Sequence, residues 1–269
     1  AGFSLRAFIG DGDALDQADV KVDDKSWTWQ QFADISRQLM TAEDGKERRY
    51  ALANDPPELL LQEMVVDRYS EFVDRTARQA KFDSPVFVEL MRQVKKMFDD
   101  RVMTSQPADI GKQLFYSAVV RSPADYVDGP YVLFSNPKLL QKPHAEGQSG
   151  GMRIIPSTQL AIGAKSPVPE EAWKFIAFLL SAEAQSLQER EGFSLLKSVN
   201  GNKLNDIREQ VGNGTYKLPN DKEARVPDEQ FAQFKQLTDT AENYALLDSK
   251  VISIVGEESG SFFSGQKSA

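Results

Sequence analysis

The sequence has no cysteine, a single histidine and no long apolar run, and each of these features excludes a class of function. Without cysteine there is no disulfide, no thiolate metal site and no cysteine nucleophile. The histidine, His144, lies in "KPHAEGQSGG", a composition that predicts an exposed loop residue. A histidine-based metal site needs several such ligands. No apolar run approaches the roughly 18 residues that a membrane-spanning helix requires.

Positive charge is also in short supply. The chain carries 32 Lys and Arg against 40 Asp and Glu, a formal net charge of −8. A nucleic-acid partner needs a basic face to neutralise phosphates, so the sequence predicts no such partner. The charged stretch "EDGKERR" at 43–49 is predicted to be a surface turn. At 269 residues and 41% apolar composition, the chain can form a sizeable core in two domains or one large one.

Motifs for catalysis or cofactor binding are weak. The stretch "DGDALD" at 11–16 resembles a calcium loop, but Leu15 stands where an oxygen ligand belongs, so we expect a solvated acidic loop. "GQSGGMR" lacks the Lys-Ser/Thr of a phosphate-binding loop. We therefore predict no enzyme, no metal ion and no cofactor. A carboxylate pair of a glycan-acting enzyme cannot be ranked among 40 acidic residues and stays an open alternative.

Helical patterns dominate the chain. Thr28 and Gln31 have the spacing of a capping box, and Phe32, Ile35 and Leu39 follow at helical intervals. Pro85 is suited to the first turn of a later helix. Further helices are predicted at residues 57–80, 84–99, 169–190, 203–211 and 227–246.

Strand patterns are few and short. "GKQLFYSAVV" at 111–120 and "QLAIGA" at 159–164 predict two strands. The stretch between them, residues 121–151, is rich in Pro, Gly and aromatic residues and reads as a long irregular connection. The end of the chain, from Ser249, reads as a brief apolar run and a Gly/Ser-rich segment.

Aromatic residues are concentrated near the first of these strands. Aromatic faces stack on apolar ligand surfaces while a hydroxyl group sets orientation. We therefore predict that this cluster contributes to a binding cleft, with core packing as the alternative for each residue. The candidates for stacking are Phe115, Tyr116, Tyr126 and Tyr131.

Four stretches occur in a familiar order: "WTWQQFADISRQL", "FYSAVVRSPADYV", "GQSGGMRIIPSTQLAIGAKSPVPEEAWKFIAFLLSAEAQ" and "GFSLLKSVN". Together they resemble the extracellular solute-binding proteins of ABC importers, the bacterial family 1 group that includes maltose- and oligosaccharide-binding proteins. The most specific pattern, a strand followed by an apolar helix, falls on Ala161 to Ser166 and on Glu170 to Gln185. The "TW..F" signature falls on Thr28, Trp29 and Phe32.

The resemblance implies an α/β, periplasmic-binding-protein-like (type II) fold that is helix-rich. It implies mostly the second lobe plus a returned piece of the first, because family members run to roughly 400 residues, above the usual size of a single domain. We thus expect a fragment that lacks most of the first lobe. The apolar helix would pack on a first-lobe sheet, with Trp173 and Phe178 in the core. The predicted divisions are 1–148 (second lobe), 149–197 (crossover and first-lobe segment) and 198–269 (second-lobe return).

The implied function is capture of a solute, an oligosaccharide by first choice, in a cleft between lobes, with delivery to the permease subunits of an ABC importer. Gly150, Gly151 and Arg153 lie near the predicted crossover, where backbone N–H groups and a guanidinium could contact the solute. The implied location is outside the cell membrane, anchored to its outer face by a lipid beyond this chain, or the periplasm. The alternative is a helical scaffold or interaction domain without a small-molecule cleft.

Overall fold

The structure is a computed structural model, and it describes residues 2–42, 49–147, 151–187, 192–242, 244 and 247–269. Helices dominate the described residues. The helices are α1 Gly12–Gln17, α2 Trp29–Ala42, α3 Pro57–Asp67, α4 Tyr69–Phe72, α5 Pro85–Asp99, α6 Pro123–Leu133, α7 Pro169–Leu179, α8 Ala182–Gln185, α9 Lys197–Gly212, α10 Asp228–Asp239 and α11 Ser249–Phe263. The strands are β1 Phe3–Asp11, β2 Val73–Asp74, β3 Gln79–Ala80, β4 Phe115–Val120, β5 Pro137–Leu140 and β6 Arg153–Pro156.

The chain divides into two compact units, each assembled from separate segments. β1 and β4 each pass from one unit to the other within the strand, where composition gives no linker signal. The predicted divisions 1–148, 149–197 and 198–269 stay a prediction. Unit 1 comprises Ala1–Ile9, Ser117–Lys142 and Gly151–Tyr244. Unit 2 comprises Gly10–Tyr116, Pro143–Gly150 and Ala245–Ala269.

Unit 1 is built around a sheet in which β1 lies between β4 and β5. β6 also pairs with β1, antiparallel, in a register that sets Phe3 opposite Pro156 and Arg6 opposite Arg153. Side chains on both faces of β1 are buried, as expected for a central strand. The prediction of a strand at 159–164 is wrong, because that stretch has no regular structure. The strand closest before it in sequence is β6, which pairs with β1.

Helices α6, α9 and α10 supply the core against this sheet, and aromatic side chains of α6 and α10 pack directly on one another. The rings of Tyr126 and Phe234 stack with centroids 4.1 Å apart, and Phe193 lies on Phe234. Gly192 precedes this contact with φ +81°, and a Cβ there would lie 3.0 Å from the carbonyl oxygen of Phe3. Glycine is therefore required at this turn, where the backbone meets the first strand.

Helix α7 differs sharply from the expectation. Trp173 and Phe178, predicted to be core residues, are 59% and 47% exposed, and no residue of α7 is buried. The physical reason is that no element among the described residues covers this face. The predicted helix 169–190 is also interrupted, because Leu180 ends α7 and the Ser181 hydroxyl accepts a hydrogen bond that starts α8.

In unit 2 the predicted capping box at the start of α2 is confirmed. The Thr28 N–H donates to Gln31 Oε1 at 2.8 Å, and the Gln31 N–H donates to Thr28 Oγ1 at 3.2 Å. These reciprocal bonds start α2 and place Phe32 inside an aromatic cluster with Trp27. The predicted helix 84–99 is likewise confirmed as α5, with the Ser84 side chain as its N-cap.

Helices α3 and α11 pack closely although they lie far apart in sequence. Gln62 on α3 donates its side-chain amide to the carbonyl of Ile252 on α11 at 2.8 Å. Gly256 faces the same amide so closely that a Cβ would lie 2.5 Å from it. The segment described from the sequence only as a brief apolar run and a Gly/Ser-rich stretch therefore contains a packed helix, α11.

Three further expectations need correction. The predicted helix 57–80 ends at Phe72, and β2 and β3 follow. The acidic stretch 11–16 is not a loop but α1, because the Asp11 carboxylate accepts the Ala14 N–H as an N-cap. The connection 121–151 contains α6, which starts at a Ser122 cap. Helices predicted at 203–211 and 227–246 correspond to α9 and α10 with shifted ends.

Candidate functional site

A polar cluster lies in unit 2, beside Tyr116 in the first part of β4. Arg49 Nη1 and Asp11 Oδ2 form an ion pair at 2.6 Å, and the two side chains are only 16% and 14% exposed. The other carboxylate oxygen of Asp11 caps α1 through Ala14. Because one carboxylate serves both groups, the start of α1 fixes the position of the Arg49 guanidinium.

Tyr116 lies beside this ion pair. Its hydroxyl accepts a hydrogen bond from the Gly111 N–H at 3.4 Å, and its ring is half-buried. Burial raises the pKa of the Tyr116 phenol, while the Gly111 hydrogen bond and the positive charge of Arg49 oppose that rise. The phenol is therefore neutral at ordinary pH and can both donate and accept a hydrogen bond.

The chemistry of this cluster is suited to binding. A neutral phenol and a fixed guanidinium offer hydrogen-bond donors, and the tyrosine ring offers a partly apolar surface. Asp11 is held by Arg49 and by the Ala14 N–H at the start of α1, so both of its carboxylate oxygens are already engaged within the chain.

Two of the predicted stacking residues are core residues in the structure. Phe115 has no exposed surface, and its ring centroid lies 5.3 Å from that of Phe32. Tyr126 is 3% exposed, stacks on Phe234, and donates its hydroxyl to the carbonyl of Gln230 at 3.0 Å. Both rings are already packed against rings of this chain, so neither has a free face for a ligand.

Tyr131, Gly151 and Arg153 lie in unit 1, and Tyr116 lies in unit 2. Tyr131 is half-buried against the unit 1 core, and burial raises its pKa to about 12. Gly151 is half-buried, and Arg153 on β6 is 8% exposed. Gly150 lies outside the described residues. Four residues therefore stay as predicted binding residues: Tyr116, Tyr131, Gly151 and Arg153. Tyr116 is the one that lies beside the Arg49–Asp11 ion pair.

Sequence reasoning missed Asp11 and Arg49. Asp11 was considered only as part of a calcium loop, and Arg49 only as part of a charged surface turn. Their ion pair joins residues 38 positions apart, so no local pattern indicates it. The signal within reach was the Asp-x-x-Ala cap at Asp11, which predicts a helix start rather than a cation loop.

The predicted loop histidine is also placed differently. His144 is 3% exposed, its N–H donates to the carbonyl of Trp27 at 3.0 Å, and its carbonyl accepts the Trp29 N–H at 3.2 Å. These backbone bonds bring the segment back to the start of α2, so the histidine is a buried residue of unit 2 and not a surface one.

The described ranges contain neither a cluster of metal-binding side chains nor a membrane-spanning helix. No group of three or more His, Asp or Glu side chains within them could hold a metal ion. None of the helices within the same ranges has the length and apolar character needed to cross a bilayer.

Comparison with known proteins gives one family. The model of the bacterial extracellular solute-binding protein family matches residues 5–186. No curated protein matches the chain. The matched range contains Tyr116, Arg49 and Asp11 as well as both patterns that carried the resemblance, so the resemblance is confirmed.

Solved structures of similar fold cover 99% of this chain. An ABC substrate-binding protein from Listeria monocytogenes in complex with cycloalternan matches with TM-score 0.59 and 16% identity, over 66% of its own length. A sugar transporter from Rhizobium etli in an open conformation matches with TM-score 0.61 and 14% identity, over 68%. A cyclic alpha-maltosyl-1,6-maltose binding protein from Arthrobacter globiformis matches with TM-score 0.57 and 11% identity, over 66%.

At these identities the likeness shows the fold, which is periplasmic-binding-protein-like, helix-rich α/β, as the resemblance implied. The chain spans about two thirds of the length of these structures. The assignment of its segments to particular lobes stays a prediction.

Proposed function

Because this chain belongs to the bacterial extracellular solute-binding protein family, we propose that it is part of the solute-binding component of an ABC importer and that its solute is a carbohydrate. The family is one of binding proteins, so the proposed activity is capture and delivery without a chemical step. The observation that carries the proposal is the family match over residues 5–186.

The choice of a carbohydrate has two supports. Similar structures from Rhizobium etli and Arthrobacter globiformis are named as a sugar transporter and as a cyclic maltosyl-maltose binding protein. In this chain, Tyr116 combines a ring surface with a neutral hydroxyl, and Arg49 stands beside it as a fixed donor. Sugars present an apolar ring face and several hydroxyl groups, and an aromatic ring with fixed polar groups complements both.

The proposal extends to partners and location. The partners would be a small carbohydrate and the permease subunits of the importer. The place would be the extracellular side of the cell membrane or the periplasm, with any lipid anchor contributed by sequence outside residues 1–269. Tyr131, Gly151 and Arg153 are retained as further proposed binding residues of unit 1.

The experiment is a titration of the natural full-length protein with a panel of linear and cyclic malto-oligosaccharides. Calorimetry measures the binding, and thermal unfolding measures the change in the midpoint. We expect at least one sugar to bind and to raise the midpoint, since a ligand that binds only the folded state stabilises it. The Tyr116→Phe variant should weaken that binding about three- to tenfold, the usual effect of one lost hydrogen bond. Tyr244→Phe in unit 1, which removes an exposed hydroxyl, is the matched control.

The outcomes separate the competing functions. New products from a bound glycan would contradict simple capture and favour a glycan-acting enzyme. No response to any sugar in a protein that unfolds cooperatively would favour the helical scaffold. Equal affinities of the Tyr116→Phe variant and the control would leave the family function intact but remove Tyr116 from the site.

A further inference from the structure

Unit 2 contains a cavity of about 650 Å³ that the proposed carbohydrate function does not use. Its walls come from the start of α2, the second half of α3, the first half of α5 and the returning segment at 144–146. None of the predicted binding residues lines it. A cavity of this volume is in the range that holds a small organic ligand.

The floor of the cavity is apolar. Met64 on α3 and Leu90 on α5 line it and are 1% and 7% exposed. Val86, 38% exposed, lies at its outer part. These side chains provide a surface for methylene groups, whose transfer from water to an apolar surface is favourable.

The charged groups of the cavity are unbalanced. Glu89 on α5 and Glu146 on the returning segment line it, are exposed, and have no hydrogen-bond or ion-pair partner within the described part of the chain. The one cation in the lining, Arg68, is committed to Glu71 through hydrogen bonds from Nε at 2.9 and 3.0 Å. The cavity therefore carries a negative potential that its own residues do not neutralise.

We propose that this cavity binds an organic ammonium ligand, with its positive head at Glu89 and Glu146 and its alkyl body on Met64 and Leu90. Two carboxylates attract a cation and repel an anion, whereas a neutral polyol can only donate hydrogen bonds to them and gains no charge–charge attraction. The apolar floor selects a ligand with a hydrocarbon body over an inorganic cation. The proposal is independent of the carbohydrate function, because it uses neither Tyr116 nor Arg49.

The test compares two probes that are close in shape and differ in charge. Hexane-1,6-diamine carries two ammonium groups at neutral pH, and hexane-1,6-diol is its neutral counterpart. Calorimetric titration of the whole chain should show binding of the diamine and none of the diol. Binding should weaken as salt rises, because exposed charges are screened. Ethane-1,2-diamine, which has charge without an alkyl body, should bind more weakly than the six-carbon diamine.

Two variants locate the site. Glu89→Gln and Glu146→Gln keep side-chain volume and remove one charge each, and each should weaken diamine binding about fivefold, with about 25-fold for the double variant. Glu183→Gln in unit 1, also exposed, is the control and should bind as the unchanged chain does. Because all three residues are exposed, the variants should fold normally.

Several results would overturn the proposal. Absence of diamine binding, equal binding of diamine and diol, or equal losses in the Glu183→Gln control and the cavity variants would each do so. None of these results bears on sugar binding, which is measured with different probes and different residues.

Discussion

Helices α3 and α7 are alike in sequence and opposite in environment. Each has 11 residues, each has proline in its first turn, and neither has a side-chain N-cap. In α3 the apolar face is buried, and Leu61 has no exposed surface. In α7 nothing is buried, and Trp173 and Phe175 are 59% and 61% exposed.

The difference between them lies in what covers each helix. Helix α3 of unit 2 lies against α5 and against α11, whose Ile252 is 190 positions from Gln62. Helix α7 of unit 1 has only α8 beside it among elements of the described chain that contact it substantially. An apolar sequence therefore indicates that a helix needs a cover, but the cover itself comes from elsewhere in the fold.

The largest expected effect is loss of a side chain from the covered helix. Leu61→Ala should lower the free energy of unfolding by about 2–5 kcal/mol, because it leaves a cavity in a closed core. The matched change on α7, Phe175→Ala, should alter it by about 0.5 kcal/mol or less, as surface changes do. Urea unfolding of both variants measures the contrast. Similar losses for the two would mean that α7 is covered in solution.

A second prediction concerns the contact that closes over α3. Gly256→Ala on α11 should lower the free energy of unfolding by about 1 kcal/mol, since the new methyl displaces the Gln62 amide from Ile252. With Gln62→Ala already present, the same change should become neutral or stabilising by up to about 1 kcal/mol, because alanine favours a helix. A double-mutant cycle measures whether the effect of Gly256→Ala on the free energy of unfolding changes sign between the two backgrounds. The same loss in both backgrounds would show that the close approach is not the cause.

A third prediction concerns the uncovered helix alone. Trp173→Ser with Phe175→Ser should leave the free energy of unfolding within about 1 kcal/mol of its starting value and reduce self-association of residues 1–269. Exposed apolar patches of this kind promote association because their burial releases ordered water. Sedimentation velocity over a range of concentrations provides the measurement. A lowered unfolding midpoint with unchanged self-association would contradict the exposure of α7 and would mean that its apolar side chains are packed in the folded chain.

The smallest expected effect is a difference between the two units in how stability depends on pH. In unit 1, burial raises the pKa of Asp128 above 3.8, although a hydrogen bond from the Tyr216 hydroxyl at 2.9 Å opposes the rise. A raised pKa in the folded state means a contribution that is present at low pH and lost as pH rises through the folded value. Asp128→Asn should therefore gain stability relative to the unchanged chain between about pH 3 and about pH 6.

Asp100 of unit 2 should respond in the opposite sense. A hydrogen bond from Lys96, aided by Arg37, lowers its pKa from 3.8. Its contribution is present above the unfolded pKa and lost as pH falls through the lowered one. Asp100→Asn should lose stability relative to the unchanged chain as pH rises from the lowered pKa to the ordinary aspartate value of about 4, and the difference should stay constant at higher pH. Parallel responses of the two variants in urea unfolding would contradict the assignment of opposite shifts.

The parts of the fold that were predictable depend on local signals. Thr28, Gln31 and Ser84 act within one helical turn, so their hydrogen bonds can be anticipated from spacing alone. Helix α6 contains Gly129 and Pro130, and α11 contains glycines that allow close approach to α3. Local propensity argues against both helices, and packing decides in their favour.

The candidate site was predictable only in its aromatic component. The cluster that includes Tyr116 is visible in the sequence, but the burial of Phe115 and Tyr126 depends on rings contributed by distant segments. The Arg49–Asp11 ion pair depends on a contact across 38 positions. Sequence patterns therefore identified a class of residue, and tertiary contacts determined which members keep a free surface.

The packing of α11 on α3 also sets an order in time. A ribosome adds about 5–20 residues per second, so the 190 positions between Gln62 and Ile252 correspond to about 10–40 s of synthesis. Throughout that interval the apolar face of α3 is not yet covered by α11. Until α11 emerges, such a nascent chain exposes an apolar surface that chaperones can shield.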